Sequence, residues 1–394
     1  MRVLITDGNE RAALAVARAL VAAGLEVYVA APTPACLAGV SRGVHRCLIR
    51  ADPLAHPAAY ATELGTQAGD LGINVLLPIT DAAVDALLEH RRLLPSDVIL
   101  PFPDLATYRA ASDKLQVLEH ARGAGFGIPE TRIIHSPAEY DAIHEPGLFP
   151  GVVKPHRSVV AVGATRRKVG VSFVADSESC RRALGALPSS AFPVLLQRRV
   201  SGPGEGLFVL RWDGRTVAVF AHRRLREKPP AGGVSVYRES IAPAAAMVDP
   251  GLRLLDALDW RGVAMVECKR ELNTGRHVIM EVNARFWGSL QLAIDAGVDF
   301  PTLLVRCALG QHPPAQGSYR VGVRSRWFWG DVDHLYLRLT RSAAALQLEN
   351  GRWSRLAALI DFVRFRPGRD RSEIWRWRDP APFLLETLQR IGAA

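Results

Sequence analysis

Met280-Glu281-Val282-Asn283-Ala284-Arg285 closes an apolar run, and Glu267 closes another fourteen residues earlier, in Ala264-Met265-Val266-Glu267-Cys268. Between them, Lys269-Arg270-Glu271-Leu272-Asn273-Thr274-Gly275-Arg276 is polar and glycine-containing, the pattern of a turn joining two strands. Such a hairpin brings Glu267, Glu281 and Asn283 to one place. Glu281 and Asn283 are two residues apart, so on a strand they share a face. Converging hard oxygen donors suit Mg²⁺, which takes one or two carboxylates and fills its shell with phosphate and water. Arg285 continues the alternation and puts a planar cation beside them. A salt-bridged structural pair is the competing reading. Carboxylates at the ends of apolar strands are costly unless paired or metal-bound, and the metal reading is preferred.

The remainder of the sequence sets bounds. A chain of 394 residues predicts two or three domains, and 48% hydrophobic residues supply their cores. No apolar run reaches the length of a membrane span. The start, Met1 to Gly8, enters a strand pattern directly and lacks the apolar region of a signal peptide. Five scattered cysteines, Cys36, Cys47, Cys180, Cys268 and Cys307, have no metal spacing and predict reduced thiols in a cytoplasmic protein. The formal charge of +10 is carried by arginine, since only Lys114, Lys154, Lys168, Lys228 and Lys269 are lysines. An arginine-for-lysine bias is weak evidence for nucleic acid, and no nucleic-acid partner is expected. A lysine retained against that bias does something arginine cannot.

Residues 2–30 predict strand, helix and strand, one unit of a parallel sheet. The loop Thr6–Arg11 has no G-x-G-x-x-G, which disfavours a dinucleotide site. Val75-Leu76-Leu77 is a further strand, a helix follows over 82–93, and Val98-Ile99-Leu100 closes the region. Residues 104–125 are helical. Strands and helices alternate over 130–200, strands dominate 205–285, and Leu290 to Gly310 is helical. Residues 318–394 differ in texture, with Trp327, Trp329, Trp353, Trp375 and Trp377 among many arginines.

Three further groups carry chemistry. Lys154 ends the apolar run Gly151-Val152-Val153 beside a small-residue loop whose N–H groups suit an anion. Gln197-Arg198-Arg199-Val200 runs into the bend Ser201–Gly206, where backbone suits an adenine edge and Glu205 a ribose hydroxyl. His222-Arg223-Arg224 leads through Lys228 into the loop containing Gly233 and Ser235, where clustered guanidinium groups suit carboxylate or phosphate.

Lys114 in Ser-Asp-Lys, Lys154 in Val-Val-Lys-Pro, the Gln197–Val200 bend, Glu267, and Glu281-Val282-Asn283-Ala284-Arg285 together resemble the successive motifs of the ATP-grasp superfamily. The resemblance is to its carbamoyl-phosphate-synthase-like and biotin-carboxylase-like carboxylate–amine ligases and spans residues 1–310. It implies an α/β fold: a Rossmann-like N-terminal domain (1–110), a two-subdomain α+β ATP-grasp domain (111–317, lid about 125–195), and a helical C-terminal segment (318–394). It implies ATP and Mg²⁺ or Mn²⁺ as cofactors. Lys114 and Lys154 would contact phosphates. Gln197, Arg198, Val200 and Glu205 would meet the nucleoside, and Glu267, Glu281 and Asn283 the metal. Arg285 and Lys154 would act in catalysis, and His222, Arg224, Gly233 and Ser235 would bind substrate. Arg198 stands where many members carry glutamate.

The activity implied is C–N ligation. ATP activates a carboxylate as an acyl phosphate, which an amine then attacks, so the partners are small molecules; a homodimer is compatible with this. The alternatives are a bicarbonate-activating, carboxyphosphate-forming enzyme and a non-catalytic nucleotide-binding protein. For residues 318–394 a helical cap is the preferred reading. Peripheral membrane contact through Val321–Leu339 and Leu356–Arg366, which mix tryptophan or leucine with arginine, is the other.

Overall fold

The structure is a computed structural model that describes residues 1–143, 148–346, 348 and 354–392; Trp353 lies outside the described residues. It opens with β1 (Arg2–Ile5), α1 (Arg11–Ala22), β2 (Glu26–Ala31), β3 (Val44–Ile49), α2 (Pro57–Asp70), β4 (Val75–Leu77) and α3 (Asp81–Glu89). The four strands form a parallel sheet in the order β3-β2-β1-β4. Val3, Leu4, Ile5, Val27, Val29, Val75, Leu76 and Leu77 are all buried, as they must be when helices cover both faces of a parallel sheet. Strand β3 was not expected: exposed His45 and Arg46 interrupt its apolar pattern. Val98-Ile99-Leu100 adds one bridge, Ile99 to Val75, rather than a strand.

The helical stretch after residue 104 is divided into α4 (Leu105–Ser112) and α5 (Lys114–Ala124). Asp113 divides them because its backbone is extended and its carboxylate accepts from the Leu115 and Gln116 N–H groups, an N-cap. Gly125 ends α5 at φ +95°, where a side chain would be strained.

A smaller unit follows: β5 (Thr131–Ile134), α6 (Pro137–Asp141), β6 (Gly151–Pro155), β7 (Val159–Val162), β8 (Thr165–Lys168), β9 (Ser172–Val174), α7 (Ser177–Gly185) and β10 (Val194–Arg198). Its sheet is antiparallel in the order β5-β10-β6-β9, and β7 and β8 form a separate hairpin. Ile134, Tyr140, Val153, Val174, Leu184, Val194 and Leu196 give this unit its own core.

The large sheet comprises β11 (Gly204–Trp212), β12 (Arg215–Lys228), β13 (Val234–Ser240), β14 (Gly262–Arg270), β15 (His277–Asn283), β16 (Arg324–Arg326) and β17 (Asp370–Ser372), ordered β15-β14-β11-β12-β13-β16-β17. Helices α8 (Ala245–Ala257), α9 (Leu290–Ala296), α10 (Phe300–Ala308), α11 (Phe328–Thr340), α12 (Arg355–Val363) and α13 (Ala381–Arg390) complete the chain. One continuous core joins Val3, Ile5 and Leu14 of the N-terminal unit to Phe208, Phe220, Met265, Trp287 and Leu290 of the large sheet unit. Among the described residues after 317, helices α11, α12 and α13 are joined by β16 and β17, which extend the large sheet. Among the described residues no helix is long and apolar enough to cross a membrane, and the five cysteines are unbridged.

Candidate active site between the small and large sheets

Strands β14 and β15 pair antiparallel with Glu267 directly opposite Glu281 and Met265 opposite Asn283. The register places both carboxylates and the amide on one patch. The pairing shifts between Glu267 and Cys268 and resumes at Cys268 opposite Ile279, a bulge that interrupts the ladder beside the carboxylates. The patch forms part of the wall of a cavity of about 580 Å³. Lys154, Gln197, Arg198, Val200, His222, Arg224, Gly233, Ser235, Glu267, Glu281, Asn283 and Arg285, twelve of the predicted site residues, line that cavity.

Two predicted residues do not line it. Lys114 lies next door, in a small recess that shares Glu281 and Asn283 with the main cavity. As the first residue of α5, it donates its N–H to the His156 carbonyl at 2.8 Å, and its ammonium lies 3.5 Å from Glu281 Oε2. Glu205 stands apart. It is buried, and its carboxylate holds His277 Nε2 at 2.9 Å and Arg270 at 3.2 Å.

Each ionic group at the cavity has an identifiable support. Lys154, buried on β6, faces Met280 Sδ at 3.9 Å; burial lowers its pKa to about 8, against the opposing pull of Glu281. Burial also pushes at Glu281, but Lys114 and Lys154 outweigh it and hold that carboxyl below its ordinary value. Glu267 is pushed up, by burial first and then by Glu281, although Arg224 at 2.5 Å opposes the shift. Arg224 also binds Glu227 at 2.9 Å and the Gly233 carbonyl at 3.2 Å. A side chain at Gly233 would collide with the Lys228 carbonyl, so the turn after β12 is closed by glycine there.

Arg285 is held by a residue the sequence reading did not single out. Asp81, in the first turn of α3, binds its guanidinium at 2.8 Å, and Tyr108 donates to the same carboxylate at 3.2 Å. Arg285 in turn donates to Asn283 Oδ1 at 3.2 Å. The N-terminal unit therefore orients the cation beside the carboxylates. Lys269, also on the cavity wall, donates to the Val200 carbonyl at 2.9 Å. Its scarcity in the composition was the signal that could have marked it. Arg198 is half exposed and paired with Glu130 at 2.9 Å, while Gln197 is buried and donates to Thr131 Oγ1 at 3.0 Å.

His222 is buried against Phe208, with ring centroids 4.6 Å apart and edge to face. Neither ring nitrogen has a hydrogen-bond partner. Burial, then Arg224 and Arg238, push its pKa far below the ordinary value, so it is a neutral imidazole at neutral pH. The Ser235 hydroxyl and the Trp287 indole nitrogen are also buried without partners on this wall.

Among the described residues, no three His, Cys, Asp or Glu side chains cluster into a self-sufficient metal site. Two carboxylates at paired register positions with an amide beside them form the partial oxygen set that Mg²⁺ uses when phosphate and water complete its shell. The residues present fit that ion.

Comparison with known proteins bears on the fold. Residues 192–329 match the family described as ATP-grasp in the biosynthetic pathway with Ter operon. No curated protein matches the chain by sequence. N5-carboxyaminoimidazole synthetase from Staphylococcus aureus superimposes with a TM-score of 0.61 at 15% identity, over 82% of this chain and 80% of that one. L-amino acid ligase from Bacillus licheniformis gives 0.61 at 16%, over 82% and 78%. Biotin carboxylase from Campylobacter jejuni gives 0.63 at 13%, over 82% and 74%. The chain has the ATP-grasp fold. The small four-stranded unit and the large sheet, with the cavity between them, are its two halves.

Proposed function

We propose that this chain is an ATP-dependent carboxylate–amine ligase. The observation that carries the reading is the convergence of Lys154, Glu267, Glu281, Asn283 and Arg285 on one wall of the cavity between the two sheets, with Lys114 against Glu281. ATP would lie in that cavity, with its phosphates at Lys154 and Lys114 and its base against the backbone around Arg198 to Val200. Glu267 and Glu281, assisted by Asn283, would hold Mg²⁺, which neutralises phosphate charge when bound.

The protein need supply no nucleophile. Phosphoryl transfer is accelerated by positioning and by fixed charge aimed at the transferring group. Lys154 is poised for this: its pKa near 8 leaves it mostly protonated at neutral pH. Arg285, clamped by Asp81, is a fixed cation that needs no reorganisation. His222, Arg224, Gly233 and Ser235 would receive the carboxylate substrate. His222 is neutral and has a nitrogen to donate, and the guanidinium of Arg224 supplies charge. The acceptor amine would attack the acyl phosphate and release phosphate. The fold relatives named N5-carboxyaminoimidazole synthetase and L-amino acid ligase support the reaction class.

The test is an ADP-release screen over carboxylic acids and amines, with product masses recorded. Turnover requiring both an organic acid and an amine is the expected result. ADP release driven by bicarbonate alone would replace this reading with a carboxyphosphate-forming one.

A further inference from the structure

Twelve of the twenty large apolar side chains that stand exposed among the described residues come after residue 320. Their concentration is greatest on α12, which has no fully buried residue. Leu356, Leu359, Ile360 and Val363 recur at three-, four- and seven-residue spacing, which makes one stripe on a helix. They are 66%, 44%, 54% and 66% exposed, and Phe365, just past the helix, is 66% exposed. An amphipathic helix on a protein surface ordinarily turns such a stripe inward. Here the inward contacts come from Phe362, which packs 6.4 Å from Phe328 and lies 4.1 Å beneath the Arg326 guanidinium. The stripe faces solvent.

Its border is cationic. Arg355 and Arg364 flank the stripe in sequence and are exposed, Arg369 is exposed five residues further on, and Asp361 is the one acidic residue of the helix. Phe328 also packs 5.9 Å from Phe383 of α13, which carries a second exposed apolar set although its Arg390 is paired with Asp333. Leu384, Leu388 and Ile391 stand 53%, 43% and 65% exposed, beside Arg390. A second copy of the chain docked on α12 would bring like-charged arginine borders together. An anionic bilayer meets both features, because the acyl boundary accepts the apolar stripe while guanidinium groups pair with lipid phosphates.

We propose that α12, with Arg355, Arg364 and Arg369, is an interfacial helix that binds the chain peripherally to anionic phospholipid. The inference is independent of the reaction proposed above. It is tested by co-sedimenting the full chain with vesicles of phosphatidylcholine alone and of phosphatidylcholine mixed with phosphatidylglycerol. Binding is expected to the mixed vesicles only and to weaken as salt screens the arginines. Leu356→Gln/Ile360→Gln/Val363→Gln, at solvent-facing positions, is expected to weaken binding roughly tenfold or more with unchanged circular dichroism. Arg364→Glu/Arg369→Glu is expected to abolish the preference for anionic vesicles while leaving the apolar stripe intact. The proposal is overturned if the wild-type chain binds neither vesicle or binds both equally, or if both variants bind as wild type does. Concentration-dependent self-association that the apolar variant abolishes would also overturn it, by assigning the face to a second copy.

Discussion

Two carboxylate clusters lie on the large sheet and its flanks, and they differ in one decisive respect. Glu281 and Glu267 stand on β15 and β14 at a cavity wall, with side chains 28% and 17% exposed. Glu373, just after β17, is sealed: its side chain is 2% exposed, with one oxygen 2.7 Å from Arg11 and the other 2.5 Å from Arg238. Arg238 is itself fully buried and donates to the Ser235 carbonyl at 2.9 Å. Arg11 lies 3.9 Å over the Trp327 ring. Both clusters pair glutamate with cations. The first has two carboxylates close together on a cavity wall, and the second has one buried carboxylate held between two guanidinium groups, of which Arg238 is fully buried and Arg11 also reaches the cavity. Pairing alone therefore does not mark a functional site. Two carboxylates accessible from one cavity make a candidate site, while the sealed cluster ties the C-terminal residues to the N-terminal helix α1 and to β13.

Substitutions at the two clusters should break in different ways. Glu281→Gln should lower ATP-dependent ADP release by about a thousandfold, the scale of losing a preorganised charge at a phosphoryl-transfer centre, with little change in melting temperature. Full activity in that variant would sink the metal assignment. Glu373→Gln should act on stability instead. It leaves Arg238 buried without its counter-charge, a loss of about 3–5 kcal/mol, readable in urea unfolding. A shift below about 1 kcal/mol would contradict the sealed geometry.

Acid should expose the same asymmetry. Arg11 and Arg238 outweigh burial and hold the Glu373 carboxyl below its ordinary 4.5. A depressed carboxylate contributes stability that is present above the unfolded-state value and is lost as pH falls through the folded-state value. The stability gap between the wild-type chain and Glu373→Gln should therefore be full at neutral pH and shrink on acidification below 4.5. A gap that stays constant on acidification well below 4.5 would show that Glu373 does not titrate with folding. The smallest effect is expected at Arg198→Ala. Its pair with Glu130 is half exposed, so stability should change by less than about 1 kcal/mol. ADP release should persist, because backbone rather than this side chain is proposed to meet the base.

The sequence made the first cluster legible and concealed the second. Glu267, Glu281, Asn283 and Arg285 lie on one hairpin, so local alternation sufficed to bring them together. Lys154 was visible because it ends an apolar strand in a chain with few lysines. Asp81 escaped notice since it meets Arg285 across some 200 residues of chain and looks like an ordinary first-turn acid of α3. Glu373 was hidden for the same reason, with partners on α1 and β13. Glu205 was expected at the nucleoside on the strength of its glycine-rich bend, but it does not line the cavity. Its partner His277 comes from β15 and holds the carboxylate at 2.9 Å. The small-residue loop expected after Lys154 folds as the β7–β8 hairpin, with Gly163 at φ +61° making the turn. In each case local pattern was sufficient where partners are near in sequence and silent where long-range packing chose them.

The central claim is that the open cluster is a magnesium-nucleotide site. Titration calorimetry of ATP into the wild-type chain and into Glu267→Gln/Glu281→Gln, each with and without Mg²⁺, addresses it most directly. ATP is expected to bind the wild-type chain more tightly with Mg²⁺, and this gain to disappear in the double variant while the variant remains folded. ATP binding that is absent from the wild-type chain, or is indifferent to Mg²⁺ in both proteins, would contradict it.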